Sequence, residues 1–213
     1  MPADPLNLIL NFDSTFPAYI HEYGIWIYLL IFVVIFIECG VVFLPLTGNP
    51  ILFVGGIAAS DGSLNPFLLI MVGVLAAYSG YVVSYWSGNY FGLKFLQERY
   101  PGLFDKEHVE KTTVFFERYG SETIIISHYI PMVRKFAPFI AGIWRMDQHK
   151  FAVYNLLGAL LWTVPLVLIG FFLGKLPFFQ AILPFLVIIV VAIIIVSIVA
   201  TIAMMRPRKN KTE

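Results

Sequence analysis

Apolar positions along the chain gather into four long runs, 23–60, 62–93, 151–174 and 176–205, and only the first contains a charged residue, Glu38. About 20 consecutive apolar residues cross the hydrocarbon of a bilayer as an α-helix, so each of the last three runs predicts one crossing. The first run is long enough for two, but Pro45, Gly48 and Pro50 interrupt it near its middle. A broken helix leaves backbone groups that lipid cannot hydrogen-bond, and such backbone is tolerated at membrane depth only inside protein or beside water. The pattern therefore predicts a re-entrant hairpin over 23–60.

The same unit recurs later in the chain. Tyr23-Gly24 opens an apolar arm leading to LPLTGNPILFVGG, and Tyr119-Gly120 opens a shorter arm leading to IPMVRKFAPFIAG. The interval from Pro45 to Gly56 equals that from Pro131 to Gly142, and the helices that follow end in the similar phrases GNYFGLK and GFFLGK. Self-similarity of this kind marks a duplicated structural unit. The expected organisation is an extracytoplasmic segment 1–22 and a first repeat 23–94, made of the hairpin 23–60 and a transmembrane helix 66–92. A cytoplasmic amphipathic linker 95–118 leads to a second repeat 119–175, with hairpin 119–145 and helix 150–174. A transmembrane helix 176–205 and a basic tail 206–213 complete the chain. The fold class is all-α and polytopic.

Charge placement sets the expected orientation. The tail RPRKNKTE is basic and belongs on the cytoplasmic side, whereas residues before Tyr23 carry Asp4, Asp13 and Glu22 but no Lys or Arg. Counting crossings between these ends closes if both broken segments are re-entrant, or if both cross twice. With re-entrant segments the two units face opposite ways, the inverted-repeat plan in which broken helices meet near the midplane at a substrate site. The amino-terminal MPADPLNLILNFDSTF lacks the basic stretch of a signal peptide, so the chain is read as mature.

Composition agrees with a bilayer setting: of 213 residues 59% are hydrophobic and 13% charged, with a mean hydropathy of +0.83. A formal charge of +1 offers no global field for nucleic acid. The single cysteine, Cys39, has no intramolecular disulfide partner and reads as a packing thiol. His21, His108, His128 and His149 are scattered, so no metal site or cofactor is expected, and no nucleophile motif argues for an enzyme. The aromatics Tyr23, Trp26, Tyr28, Trp86, Tyr90, Trp144 and Trp162 read as interfacial anchors or packing groups.

Five residues stand out as candidate chemistry. A carboxylate on lipid is costly, so Glu38 should face protein or water, where it either exchanges a proton or is neutralised by an arginine of the other repeat. Arg134 and Lys135 sit in IPMVRKFAP, where Pro131 and Pro138 are expected to break the hairpin at its tip. Two cations beside free backbone N–H groups suit a phosphate, although Lys135 would also serve by snorkelling to headgroups. His128 offers a titratable donor or a hydrogen-bonded core imidazole. Asn49, at the first tip, offers donors and acceptors or plain turn chemistry.

With these residues in view, the chain resembles the DedA family of bacterial inner-membrane proteins, related to the SNARE-associated or VTT-domain proteins. The likeness runs over about residues 23–177. It is closest in FIECGVVFLPLTGNPILFVGG, in IPMVRKFAPFIAG with the following Met146, and in FAVYNLLGALLW. The resemblance implies two oppositely inserted re-entrant hairpins and translocation of anionic lipids, either undecaprenyl phosphate or phospholipid, linked to the proton motive force. It also implies a multi-pass inner (plasma) membrane location. The family's acid falls at Glu38 and its arginine at Arg134. Three positions depart from the pattern: Thr47-Gly48-Asn49-Pro50 replaces Pro-Gly-Asp-Ser, Gly80-Tyr81 replaces Gly-Asp, and His128 replaces an arginine.

The expected function is a flippase or scramblase-like lipid transporter. Arg134, Lys135, His128 and Asn49 would hold the phosphate head, and Glu38 would couple to protons. Its partners would be the membrane and an anionic lipid, not nucleic acid, and a homo-oligomer is compatible with the pattern. The alternatives are a non-transporting scaffold of the same fold and a membrane enzyme acting on lipid phosphates.

Overall fold

The computed structural model describes residues 12–41, 49–99 and 106–205. The amino-terminal residues 1–11, the first hairpin tip with Pro45, Thr47 and Gly48, the segment 100–105 and the basic tail 206–213 lie outside the described residues. Those described are helical throughout, with turns between helices. The helices are α1 (Phe12–Gly40), α2 (Asn49–Ala59), α3 (Pro66–Arg99), α4 (Lys106–Tyr119), α5 (Thr123–Ser127), α6 (Pro131–Ile143), α7 (Gln148–Leu173) and α8 (Pro177–Met205).

Among the described residues three stretches are long and apolar enough to cross a membrane: Pro66–Gly92, Gln148–Leu173 and Pro177–Val196. Helix α2, of 11 residues, is shorter than the roughly 20 residues that a crossing takes. Large apolar side chains cover the outside of the bundle, with Phe67 79% and Phe172 62% exposed. That surface suits hydrocarbon as its solvent. Helix α1 starts at Phe12, so part of the expected amino-terminal segment is helical.

Local chemistry accounts for where the helices begin and end. The Asn65 carboxamide oxygen accepts from the backbone N–H groups of Phe67 (2.9 Å) and Leu68 (3.2 Å), capping α3. Tyr28 of α1 accepts from the Asn65 N–H at 2.6 Å, which ties α1 to that same end. Gly92 (φ 65°, ψ 171°) breaks α3, a conformation natural to glycine, and separates the apolar part from its polar extension. The end of α6 is a Schellman turn, with the Met146 N–H bonded to the Ala141 carbonyl at 2.9 Å and Arg145 left-handed at φ 52°. Asp147 then caps α7 by accepting from Lys150 N–H at 2.9 Å.

The helices pack as α1 on α3, α3 on α6, and α2 on α7. Two of these contacts are so close that only glycine fits. A Cβ on Gly142 of α6 would lie 1.9 Å from the Tyr85 carbonyl oxygen of α3, and one on Gly88 of α3 would lie 2.0 Å from that of Phe139. The α2–α7 contact repeats this arrangement. A Cβ on Gly56 would lie 2.4 Å from the Val167 oxygen, and one on Gly170 would lie 2.3 Å from the Phe53 oxygen. The spacing also repeats, since Phe53 precedes Gly56 as Phe139 precedes Gly142, and Tyr85 precedes Gly88 as Val167 precedes Gly170. The short helix of each segment therefore packs on the long helix of the other.

The main core lies where α1, α3, α6 and α7 converge, around Ile35, Tyr81, Phe139 and Trp162. A second cluster joins α2 to α8 through Ile57, Leu64 and Leu183. Gln180 of α8 donates to Ser60 Oγ and to the Gly174 carbonyl, both at 2.7 Å, and so pins α8 to the ends of α2 and α7.

Candidate functional site

Two charged side chains meet inside the main core. Arg134 Nη2 of α6 lies 3.2 Å from Glu38 Oε1 of α1, and both residues are buried. Taking an acid and a guanidinium out of water costs several kcal/mol per ion, which their attraction offsets only when further hydrogen bonds complete the geometry. Here they do. Arg134 Nε donates to the Tyr81 hydroxyl at 2.6 Å, and its guanidinium carbon stands 4.0 Å above the centre of the Trp162 ring. Cys39 Sγ lies 3.9 Å from Nη2.

The helices bring these groups together for identifiable reasons. Glu38 and Cys39 occupy the last turn of α1, and α1 can approach α3 there because residue 80 is glycine. A Cβ on Gly80 would lie 2.7 Å from both Cys39 Cβ and the Phe36 oxygen. Tyr81 follows directly on α3. Trp162 projects from the buried face of α7, which also carries Asn155, Gly158 and Ala159.

Arg134 is not at a broken tip. Pro131 is the first residue of α6, where its missing N–H costs nothing, and the helix runs through Pro138 to Ile143. The Arg134 N–H is bonded to the Ile130 carbonyl at 2.8 Å. The turn lies earlier, at His128 to Ile130, so side chains rather than open backbone N–H groups define the surroundings of the guanidinium.

His128 is buried, and its ring meets Tyr81 edge to face with centroids 4.9 Å apart. Nδ1 bonds the Ile124 carbonyl at 2.8 Å, so in the neutral ring Nδ1 carries the hydrogen and Nε2 is the acceptor. Among the described residues Nε2 has no hydrogen-bond partner. Gly158 makes room for the ring, since a Cβ there would come within 2.5 Å of it. Lys135 is half-buried and within electrostatic range of Glu38 and Arg134. Asn49 begins α2, and its side chain lies outside the described residues. No group of three His, Cys, Asp or Glu side chains among the described residues forms a metal site.

Three members of the cluster carried no warning charge. Trp162, read from sequence as an anchor or packing aromatic, is a buried platform for Arg134. Cys39, read as a packing thiol, faces the same guanidinium. Tyr81 had a signal, because it follows Gly80 at a position where an acid is expected. A phenol there can accept from Arg134 without adding a charge. Tyr81→Phe is expected to remove a hydrogen bond to a charged group and lower stability by about 1.5–3 kcal/mol. Detergent-mixture denaturation reads this, and an unchanged midpoint would show that the bond contributes nothing.

A bundle with three membrane-length helices, wrapped in apolar side chains and built around a buried acid–guanidinium pair, defines a polytopic helical membrane protein. Residues 30–172 match the VTT domain. The chain belongs to the VTT-domain, or DedA, family of membrane proteins. It is 38% identical to Protein DedA of Escherichia coli (strain K12) over 186 residues, which cover 86% of this chain and 85% of that protein. Membrane protein Rv0364 of Mycobacterium tuberculosis (strain H37Rv) is 34% identical over 154 residues, 70% of this chain and 66% of that one. Inner membrane protein YqjA of Escherichia coli (strain K12) is 28% identical over 156 residues, 72% and 70%. No solved structure matches. The names of Rv0364 and YqjA describe membrane proteins.

Proposed function

We propose that the protein is an inner-membrane transporter of anionic lipids, a flippase or scramblase whose cargo is a polyprenyl phosphate or a phospholipid. The observation that carries this reading is the buried Glu38–Arg134 pair, which joins the end of α1 to the start of α6. In the unloaded state the carboxylate occupies the guanidinium. A lipid phosphate displaces it, because Arg grips phosphate oxygens as well as carboxylate oxygens. Glu38 then takes up a proton, so loading and protonation are linked. Lys135 adds positive field, and His128 and Asn49 contribute hydrogen bonds to the head.

Two further features support the reading. The doubled glycine contacts fit two units inserted in opposite senses, as in transporters built from inverted repeats. The shortness of α2 fits a re-entrant arm that turns within the membrane. The amino terminus then lies outside the cell and the basic tail inside.

The test is reconstitution into vesicles with labelled phospholipid or polyprenyl phosphate. Glu38→Gln and Arg134→Ala are each expected to slow translocation at least tenfold while the proteins remain folded. Equal flux in the parent and both variants would remove the proposed roles, and no flux from any of them would favour a scaffold.

A further inference from the structure

A groove of about 370 Å³ runs between α1, α2 and α8. Its walls are apolar throughout: Ile27, Leu30 and Val34 of α1, Val54 of α2, and Val191 and Ile195 of α8 among them. Water would find no hydrogen-bond partners there, so in a bilayer the filling is hydrocarbon. Helix α8 takes no part in the doubled glycine contacts. It packs on α2 and forms the outer wall of the groove.

On α1 the groove lining and Glu38 share one stripe. Ile27, Ile31, Val34 and Glu38 are spaced four, three and four residues apart, which places them on one stripe of α1. Ile31 and Val34 line the groove, and Glu38 follows Val34 by one turn, about 6 Å along the helix. The other end closes at Leu64, in the turn between α2 and α3. An extended hydrocarbon chain lying against α1 from Ile27 to Val34 would therefore end beside the ion pair.

We infer that the groove holds the hydrocarbon tail of the lipid whose head engages Arg134, so that one molecule is recognised at both ends. This rests on the lipid-transport reading above and narrows it: the cargo is selected by its chain as well as by its phosphate. A soluble phosphate ester lacking the chain would be a poor ligand.

The experiment fills the groove from two walls. Val191→Trp acts from α8 and Leu30→Trp from α1; both positions are partly exposed and away from the ion pair, so they tolerate bulk without entering the cluster. Ile189→Trp, on the outward side of α8 and absent from the lining, is the control. Each protein is taken from phosphatidylcholine vesicles containing phosphatidylglycerol. Retained phosphatidylglycerol is counted by native mass spectrometry, and its translocation is measured in parallel. The parent and Ile189→Trp should retain one phosphatidylglycerol, and both groove variants should lose retention and translocation at least tenfold. Parent-level retention in both groove variants would overturn the inference, as would competition by glycerol phosphate equal to that by the long-chain lipid. If the parent retains lipid that the groove variants lose, yet moves none, the groove stands and the transport reading falls. Parent-level flux in both groove variants removes the groove alone.

Discussion

Glu38→Ala is expected to lower folding stability by about 3–5 kcal/mol, because it leaves the Arg134 guanidinium buried without its counter-charge. Arg134→Ala should cost a similar amount, for the converse reason. The two losses should not add: with Glu38→Leu and Arg134→Met together no charge is stranded, and most of the stability should return. A double-mutant cycle of Glu38→Leu, Arg134→Met and the pair, read by denaturation in mixed micelles, checks this, and a coupling near zero would mean that the 3.2 Å contact contributes no energy. Because the double variant keeps the fold while losing the charges, it also separates stability from transport. On the proposed reading it should be stable and unable to move lipid.

Gly142→Ala should be as damaging in a different way. Its new methyl group would stand 1.9 Å from a backbone oxygen that cannot rotate aside, so α3 and α6 must separate. Overpacking of this kind costs about 1–3 kcal/mol, and occasionally more. The same interface carries the Arg134–Tyr81 bond at 2.6 Å and the Tyr85–Met146 bond at 2.5 Å, so separation strains both. Gly56→Ala should cost a comparable amount at the α2–α7 contact, where the new methyl would lie 2.4 Å from the Val167 oxygen. Gly24→Ala, with nothing within 4 Å, should be neutral or stabilising by about 0.5–1 kcal/mol. Thermal unfolding of the three variants tests the set, and an undisturbed Gly142→Ala would show that the close approach is not held in the bilayer.

The long helices were legible because their apolar runs are uninterrupted, and Gly92 and Asp147 lie where the patterning changes. Glu38 and Arg134 stood out for a related reason: a charge inside apolar sequence is costly enough to need a cause. Pro131 and Pro138 were misleading about the second turn. A proline at the first position of a helix and a proline breaking one look alike in sequence, and only the backbone path distinguishes them. Trp162 and Tyr81 were harder still. They belong to a chain with four tryptophans and eleven tyrosines, and their value comes from a partner 28 residues away in one case and 53 in the other. Tertiary proximity of that kind leaves no local periodicity to read.

Trp162, Tyr81 and Glu38 enclose the Arg134 guanidinium. On the proposed reading, a monoanionic head enters as a proton settles on the carboxylate, and the total remains zero before and after. Moving a bare elementary charge through the membrane field takes about 2.3 kcal/mol per 100 mV. An electroneutral parcel escapes that work, so voltage should act on the proton supply and leave the loaded step itself almost unaffected.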